Sequence, residues 1–274
     1  IAVSTKPQDY VLDRIGGDRV TSLVLVGAGQ NPHSYEPTPR QMAALAHARA
    51  WVKSGTDFEI ALEPKIRTQY PNLSIVDGTA GVIFRTLEKH SHEGEEAPHG
   101  DGDIESNIDR HSWLGREPAK IMAGWIRDTL IAIDPSGTDL YRANCESLIA
   151  DIDREFDSLK IRLAPLEGST VFVFHPSFGY FLDEFGIGQE AVETGGKEPT
   201  AKALSDLIDE AKRDNPAAIF VQAQFPVSAA QKVADAVGAK VIPLDPLAGD
   251  WLGNIRHIGD ALEKNARATA KRRE

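Results

Sequence analysis

The chain has 274 residues, of which 41% are hydrophobic, enough to build one large domain or two small ones. Its 41 acidic and 30 basic residues give a formal net charge of −11. This charge argues against nucleic acid and anionic membrane surfaces as partners, because both require a basic face. No stretch approaches the ~18 consecutive apolar residues of a membrane span.

Short β-prone runs and helices alternate along the first half of the chain. In chain order we predict strand 1–5, helix 7–15, strand 23–26, helix 39–48, strand 50–53 and strand 74–77. The second helix has a recognisable start, because Thr38 is a good N-cap and Pro39 suits the first helical position. With the strands on either side, this helix forms a strand–helix–strand unit with a parallel crossover.

Residues 90–107 interrupt this alternation. The segment HSHEGEEAPHGDGDIESN is polar, acidic and glycine-bearing, and it contains His90, His92 and His99. It cannot bury an apolar face, so we predict a mobile surface loop that could bind a cation only weakly.

The middle of the chain carries a long helical pattern. Apolar residues recur at steps of three and four, at Tyr141, Cys145, Leu148, Ile152, Phe156, Leu159 and Leu163. The pattern predicts one amphipathic helix of about 25 residues, ~38 Å long, with Thr138 as its N-cap. Such a helix is either a rigid strut between two lobes or an ordinary core helix, and the pattern alone favours neither.

Cys145 is the only cysteine of the chain. On an apolar helix face it is expected to be a small core residue. A single cysteine excludes an intrachain disulfide and any zinc site built from several thiolates. The chain opens at Ile1 rather than Met, which fits a processed export product or a trimmed chain, and no signal peptide remains to decide between them.

The second half repeats the alternation of strands and helices. We predict strands 171–174, 218–221 and 240–244, and helices ending near 185, from Thr200 to 212, from 227 to 237 and from about 254. The fold class is therefore α/β, with two similar lobes joined by one long helix. We expect a first lobe at 1–136, a linking helix at 137–165 and a second lobe at 166–274.

Three histidines and one aspartate occupy positions that suit a metal site. His33 lies shortly after strand 23–26, His175 and Asp245 directly follow predicted strands, and His111 precedes a helix. In open α/β sheets, ligands bind beyond the carboxyl ends of the strands, so these side chains can converge between the lobes. Imidazole nitrogens and a carboxylate suit a borderline cation such as zinc.

Each of these residues also has a simpler interpretation. A single histidine after a strand is usually a hydrogen-bonded loop residue, but equivalent placement of several favours a shared metal. Pro32 and Pro176 stiffen the loops of His33 and His175. Asp250 competes with Asp245 for the fourth position. We prefer Asp245 because it follows its strand directly and lies between two prolines.

Three further side chains complete the set of candidates. Glu36 could orient His33 or add an oxygen ligand, whereas His47 and His257 lie on predicted helices and are expected to be surface or packing residues.

Five segments occur in order over nearly the whole chain: GAGQNPHSYEPTPRQM, SGTDFE, DRHSWL, FHPSFGYFLDEFGI with the following GGKEPT, and LDPLAGDW. On these segments the chain resembles the periplasmic substrate-binding proteins that supply zinc or manganese to ABC importers. The resemblance implies two lobes joined by one long helix, with the ion held between them. Carried over by motif, the metal ligands are His33, His111, His175 and Asp245.

The resemblance also bears on which metal is bound. Manganese-selective relatives usually have Glu where this chain has His175, and three imidazoles with one carboxylate favour Zn²⁺ because manganese prefers harder oxygen ligands. Zinc-specific relatives often carry a long His-rich loop before the second ligand, which is short here. Where the family commonly has DPH, this chain has Asp109, Arg110 and His111.

The predicted function is extracytoplasmic capture of a divalent metal, foremost zinc, and its delivery to the membrane permease of an ABC importer. The protein is then periplasmic or at the cell surface, a monomer, and not an enzyme. The alternatives are a manganese or iron importer component, a zinc hydrolase and an adhesin-like surface protein. A hydrolase would keep a coordination position open for water beside a general base, and the chain has no HExxH motif.

Overall fold

A four-stranded parallel sheet forms the centre of the first lobe in the computed structural model, which describes residues 1–87, 107–193, 201–222, 224–225 and 228–273. Its strands are β1 (Ala2–Val3), β2 (Leu23–Val24), β3 (Ala50–Lys53) and β4 (Ser74–Asp77), in the order β2-β1-β3-β4. The helices are α1 (Lys6–Gly16), α2 (Pro39–Leu45), α3 (Asp57–Gln69) and α4 (Arg116–Ile133). β1 lies between β2 and β3, so the predicted strand–helix–strand unit is parallel but its strands are not neighbours.

Helix α5, Thr138–Leu163, coincides with the predicted long helix. Each of the seven apolar positions of its pattern, Cys145 among them, is completely buried. Its 26 residues span ~39 Å at 1.5 Å per residue. Gly137 rather than Thr138 is the N-cap, and the Thr138 hydroxyl donates to the Pro135 carbonyl oxygen.

A second parallel sheet repeats the topology of the first. Its strands are β5 (Thr170–Val173), β6 (Gly188–Ala191), β7 (Ala218–Val221) and β8 (Lys240–Pro243), in the order β6-β5-β7-β8. The helices of this second lobe are α6 (Gly179–Asp183), α7 (Ala201–Asp214), α8 (Ser228–Val237) and α9 (Trp251–Arg273). The two-lobed α/β fold predicted from the sequence is thereby confirmed.

One apolar core extends through both lobes. Helix α5 packs against α1, α4 and α9, and its buried face belongs to the same cluster as Trp51 of β3 and Phe220 of β7. A smaller cluster lies under the second sheet, around Phe172 and Val233. Helix α5 is therefore both the connection between the lobes and a core helix, because its apolar face is shared by the two.

Two elements have no counterpart in the sequence prediction. Helix α3 carries an internal Pro64, which ordinarily breaks a helix, but it buries Phe58, Leu62 and Ile66. Strand β6 is the polar segment GQEA, which forms a strand only because it pairs with the edge of β5. In addition, α9 begins at Trp251, earlier than predicted.

The predicted loop 90–107, apart from Asn107, and the predicted cap Thr200 lie outside the described residues. Among the residues described, no helix has the length and apolar character needed to cross a membrane. The division of the chain at residues 136 and 166 stays a prediction.

Candidate metal centre

Three loops bring the predicted histidines to one point. His33 lies in a 3-10 turn after β2, where the Asn31 side chain accepts a hydrogen bond of 2.9 Å from the His33 backbone N–H. His111 lies shortly before α4, and His175 follows the end of β5. The His175 backbone N–H donates to the Gln222 side chain at 3.2 Å. Local hydrogen bonds thus position the loops that carry His33 and His175.

The three imidazoles face one another through their Nε2 atoms. Nε2 of His175 lies 3.0 Å from Nε2 of His33 and 3.3 Å from Nε2 of His111. Across the described residues, these three side chains form the group whose ligand atoms all lie within 4.8 Å of one another. Zinc bonds of about 2.0–2.1 Å to nitrogen in a tetrahedral site place ligand nitrogens roughly 3.3–3.4 Å apart. The observed separations are close to this geometry.

Each imidazole is hydrogen-bonded through Nδ1 to a carboxylate. The pairs are His33 with Asp57 (2.6 Å), His111 with Asp109 (2.8 Å) and His175 with Glu193 (2.5 Å). A proton on Nδ1 that is donated to a carboxylate leaves the lone pair of Nε2 available for a cation. Three lone pairs directed at one point are an arrangement that could hold a metal ion.

Burial favours the uncharged form of His175. His111 and His175 are buried, whereas the His33 side chain is 33% exposed and forms the open side. Desolvation, together with the charges of the other two histidines, lowers the pKa of His175 to about 4, although the hydrogen bond to Glu193 acts in the opposite direction. A neutral imidazole is the form that binds metal.

Two of the supporting carboxylates are held in their charged form. The hydrogen bond from His33 holds the pKa of Asp57 below its ordinary value, and Arg110 adds a favourable charge. Burial acts to raise the pKa of Asp109, but hydrogen bonds from His111 and from Arg85 outweigh it and the pKa is lowered.

The space in front of the three Nε2 atoms is small. The cavity has a volume of about 10 Å³ and is bounded by Trp113, Phe225 and Leu247 together with the histidines. The Phe225 ring stacks on His175, with ring centroids 4.7 Å apart. Organic ligands occupy clefts of roughly 300–1,000 Å³, so this cavity suits one ion. A larger cavity of about 840 Å³, beside Arg19 and Tyr141, contains none of the three histidines.

Asp245, the predicted fourth ligand, is not a member of the histidine group. Its Oδ1 accepts hydrogen bonds from the Gln224 side chain (2.8 Å) and from the Leu247 backbone N–H (2.9 Å). Gln224 itself lines the cavity, and its Oε1 is buried with no hydrogen-bond partner in the described part of the chain. Asp245 thus lies one side chain behind the cavity.

The remaining candidates lie elsewhere. Asp250 is exposed, and its Oδ1 accepts from the Gly253 backbone N–H in the first turn of α9. His47 and His257 are exposed, as predicted. Glu36 is also exposed, and the carboxylate bonded to His33 is that of Asp57.

Sequence reasoning missed the three carboxylates. Asp109 could have been found from its position two residues before His111, and Asp57 from its place in the SGTDFE segment. Glu193 has no local signal. It meets His175 because β6 pairs with β5 in the register Ala191 to Val173, which places the two side chains side by side beyond the strand ends.

Comparison with known proteins agrees with this fold. The family model for the zinc-uptake complex component A, periplasmic, matches residues 1–265. A crystal structure of ZnuA has a TM-score of 0.87 and 34% sequence identity, covering 96% of this chain and 97% of that chain. The high-affinity zinc uptake system protein ZnuA of Yersinia pestis is 24% identical over 262 residues, 90% of this chain and 82% of that protein. The manganese-binding lipoprotein MntA of Halalkalibacterium halodurans is 25% identical over 216 residues, 77% of this chain and 67% of that protein.

Two α/β lobes with a long connecting helix and a cluster of metal-type ligands define a zinc- or manganese-binding substrate-binding protein of the ABC-importer type. Within that class, the chain belongs to the ZnuA family, as the match over residues 1–265 shows. The resemblance drawn from the sequence segments is confirmed.

Proposed function

We propose that this protein captures one zinc ion outside the cytoplasmic membrane, through Nε2 of His33, His111 and His175, and delivers it to the permease of an ABC importer. The observation that carries the proposal is the convergence of three imidazoles, each hydrogen-bonded through Nδ1 to a carboxylate. That arrangement fixes the tautomer and increases the basicity of each metal-binding nitrogen.

Asp245 is proposed as the fourth ligand. Support comes from its position after β8 and from its hydrogen bond with Gln224, which lines the cavity. To bind the ion, the Asp245 carboxylate would give up its hydrogen bond with the Gln224 amide and contact the metal instead. A closed shell of three nitrogens and one oxygen is typical of a tightly held zinc ion.

Zinc is favoured over manganese by the chemistry of the donor atoms. Manganese and iron remain the alternative cargo, because the relatives include a manganese-binding lipoprotein. Nitrogen ligands are softer than the carboxylates and carbonyls that suit manganese, and they dominate this site.

A carrier role is favoured over hydrolysis. A cavity of about 10 Å³ in front of the histidines leaves no room for an organic substrate beside the ion. We propose a non-enzymatic, monomeric protein of the periplasm or cell surface, with an ABC-importer permease as its partner and no nucleic-acid partner.

Calorimetric titration of the metal-free chain with Zn²⁺ and Mn²⁺, against a competing chelator, tests the proposal. One zinc ion per chain, bound more tightly than manganese, is expected. His175→Ala should lose tight binding, whereas the exposed His257→Ala should keep it. Manganese binding as tight as zinc binding would contradict the zinc assignment, and equal losses in the two variants would contradict the site.

A further inference from the structure

Arg85 connects the metal centre to the opposite lobe. It lies after β4 in the first lobe, and its Nη1 is 2.9 Å from Oδ2 of Asp109. Its Nε is 2.9 Å from Oδ2 of Asp183, the last residue of α6 in the second lobe. The Arg85 side chain is 13% exposed and that of Asp183 55% exposed, whereas Asp109 is fully buried. One guanidinium group therefore joins a buried carboxylate to a surface carboxylate across the interface.

Asp109 is also hydrogen-bonded to His111, a proposed metal ligand. Its second oxygen, Oδ1, accepts from Nδ1 of His111 at 2.8 Å and from the His111 backbone N–H at 2.9 Å. Both oxygens of the carboxylate are thus used, one toward His111 and one toward Arg85. A rotation of this carboxylate that weakens one contact weakens the other, so the position of Arg85 affects the orientation of the His111 ring.

Helix α6 is shaped to receive Arg85. A Cβ atom at Gly179 would lie 1.6 Å from Nη1 of Arg85, so any larger residue there must displace the guanidinium group. The Tyr180 hydroxyl accepts from the Arg85 backbone N–H (3.0 Å) and donates to the Asp109 carbonyl oxygen (2.9 Å). Both the backbone and the side chain of Arg85 are therefore held against the second lobe.

We propose that Arg85 is a positioning residue for the metal site, and that its ion pair with Asp183 makes metal release depend on contact between the lobes. The inference rests on the proposed function, since it concerns the same ion. When α6 lies against the first lobe, Asp183 holds Arg85, Arg85 holds Asp109, and Asp109 orients His111 toward the ion. Separation of the lobes removes Asp183 and loosens each link in turn, which favours release.

Zinc dissociation from the zinc-loaded chain, followed by stopped-flow mixing with excess chelator, tests the proposal. Asp183→Asn should accelerate dissociation by about twofold to fivefold, the range of an exposed ion pair. Arg85→Lys keeps the charge but loses the rigid planar fork that faces Asp109 with Nη1 and Asp183 with Nε. It should weaken binding by about 10–100-fold, as other substitutions of groups that support a metal ligand do. Gly179→Ala should resemble Arg85→Lys because it displaces the guanidinium group.

Asp260→Asn is the matched control. Asp260 is 53% exposed and paired with Arg162 across helices α5 and α9, away from the metal centre. The Asp260→Asn substitution should leave the rate of zinc dissociation unchanged. Because Asp183 acts through Arg85, Asp183→Asn should add nothing in the Arg85→Lys background. The ¹⁵N resonance of Nδ1 of His111 should shift in Arg85→Lys and stay in Asp260→Asn, which separates positioning from a general loss of stability.

Two results would overturn the inference alone: wild-type zinc release in Asp183→Asn, or additive effects of the two substitutions. In either case the wild-type chain would still bind zinc through its histidines. Failure of the wild-type chain itself to bind zinc would instead overturn both the proposed function and this inference.

Discussion

Acidification of the metal-free protein should lower its free energy of unfolding, because His175 is buried in its neutral form. Its pKa is lowered to about 4 in the folded chain, by burial first and by the two neighbouring histidines next. An unfolded histidine has a pKa of ~6.5. The unfolded chain therefore binds the proton more readily, so this residue's contribution to stability is complete above pH ~6.5 and is lost as the pH falls toward about 4.

The size of this effect follows from the difference between the two pKa values. The difference between a pKa of ~6.5 in the unfolded chain and about 4 in the folded chain corresponds to roughly 3 kcal/mol. The His175 side chain is only 9% exposed, so solvent screening does not reduce this value much. The loss should occur between pH ~6.5 and ~4, the window set by the unfolded and folded pKa values.

Urea unfolding of the metal-free chain at several pH values measures this contribution. The free energy of unfolding of the wild type should fall more steeply over that window than that of His175→Gln, by about 2–3 kcal/mol. His257→Gln, at an exposed position, should follow the wild type. If His175→Gln shows the wild-type pH dependence, the assigned burial and pKa of His175 are wrong.

Three further predictions concern the loaded site. Between pH 6 and 5 the logarithm of the zinc affinity should change by no more than about two per pH unit. The reason is that His175 is already neutral in this range, so zinc binding displaces no proton from it. A competition titration that gives a slope of three would contradict this prediction. His175→Glu should move the preference toward manganese by replacing a nitrogen with a harder oxygen, and an unchanged ratio of zinc to manganese affinity by calorimetry would show that the residue does not set selectivity. Glu193→Gln should weaken zinc binding by about 10–100-fold because it removes the charged acceptor of His175 Nδ1, whereas a wild-type dissociation constant would mean that this carboxylate does not support the ligand.

Helices and strands could be predicted from the sequence where the apolar pattern is long. Helix α5 was predicted from Thr138 to Leu163 because its apolar positions recur over many turns and one face is buried throughout. Strand β6 could not be predicted, since the segment GQEA has no strand pattern and depends on its pairing with β5. Helix α3 was not predicted because Pro64 lies inside it. The burial of its apolar face in the first lobe outweighs the helix-breaking effect of the proline.

The types and positions of the candidate ligands were determined by the sequence itself. His33 and His175 follow strands of a parallel α/β fold, and the rule that binding occurs beyond the strand ends was sufficient to expect them in one cleft. The structure brings these two together with His111, while Asp245 as the fourth ligand stays a prediction.

Only the tertiary structure decided how the imidazoles are oriented. Asp57 and Glu193 lie 24 and 18 residues from the histidines that they accept hydrogen bonds from, and the register of β5 with β6 places Glu193 beside His175. A hydrogen bond at Nδ1 determines the tautomer, and the tautomer determines whether Nε2 can bind a cation. Residue type and spacing specify that a histidine is present, but which of its nitrogens faces the ion depends on partners that only folding brings within reach.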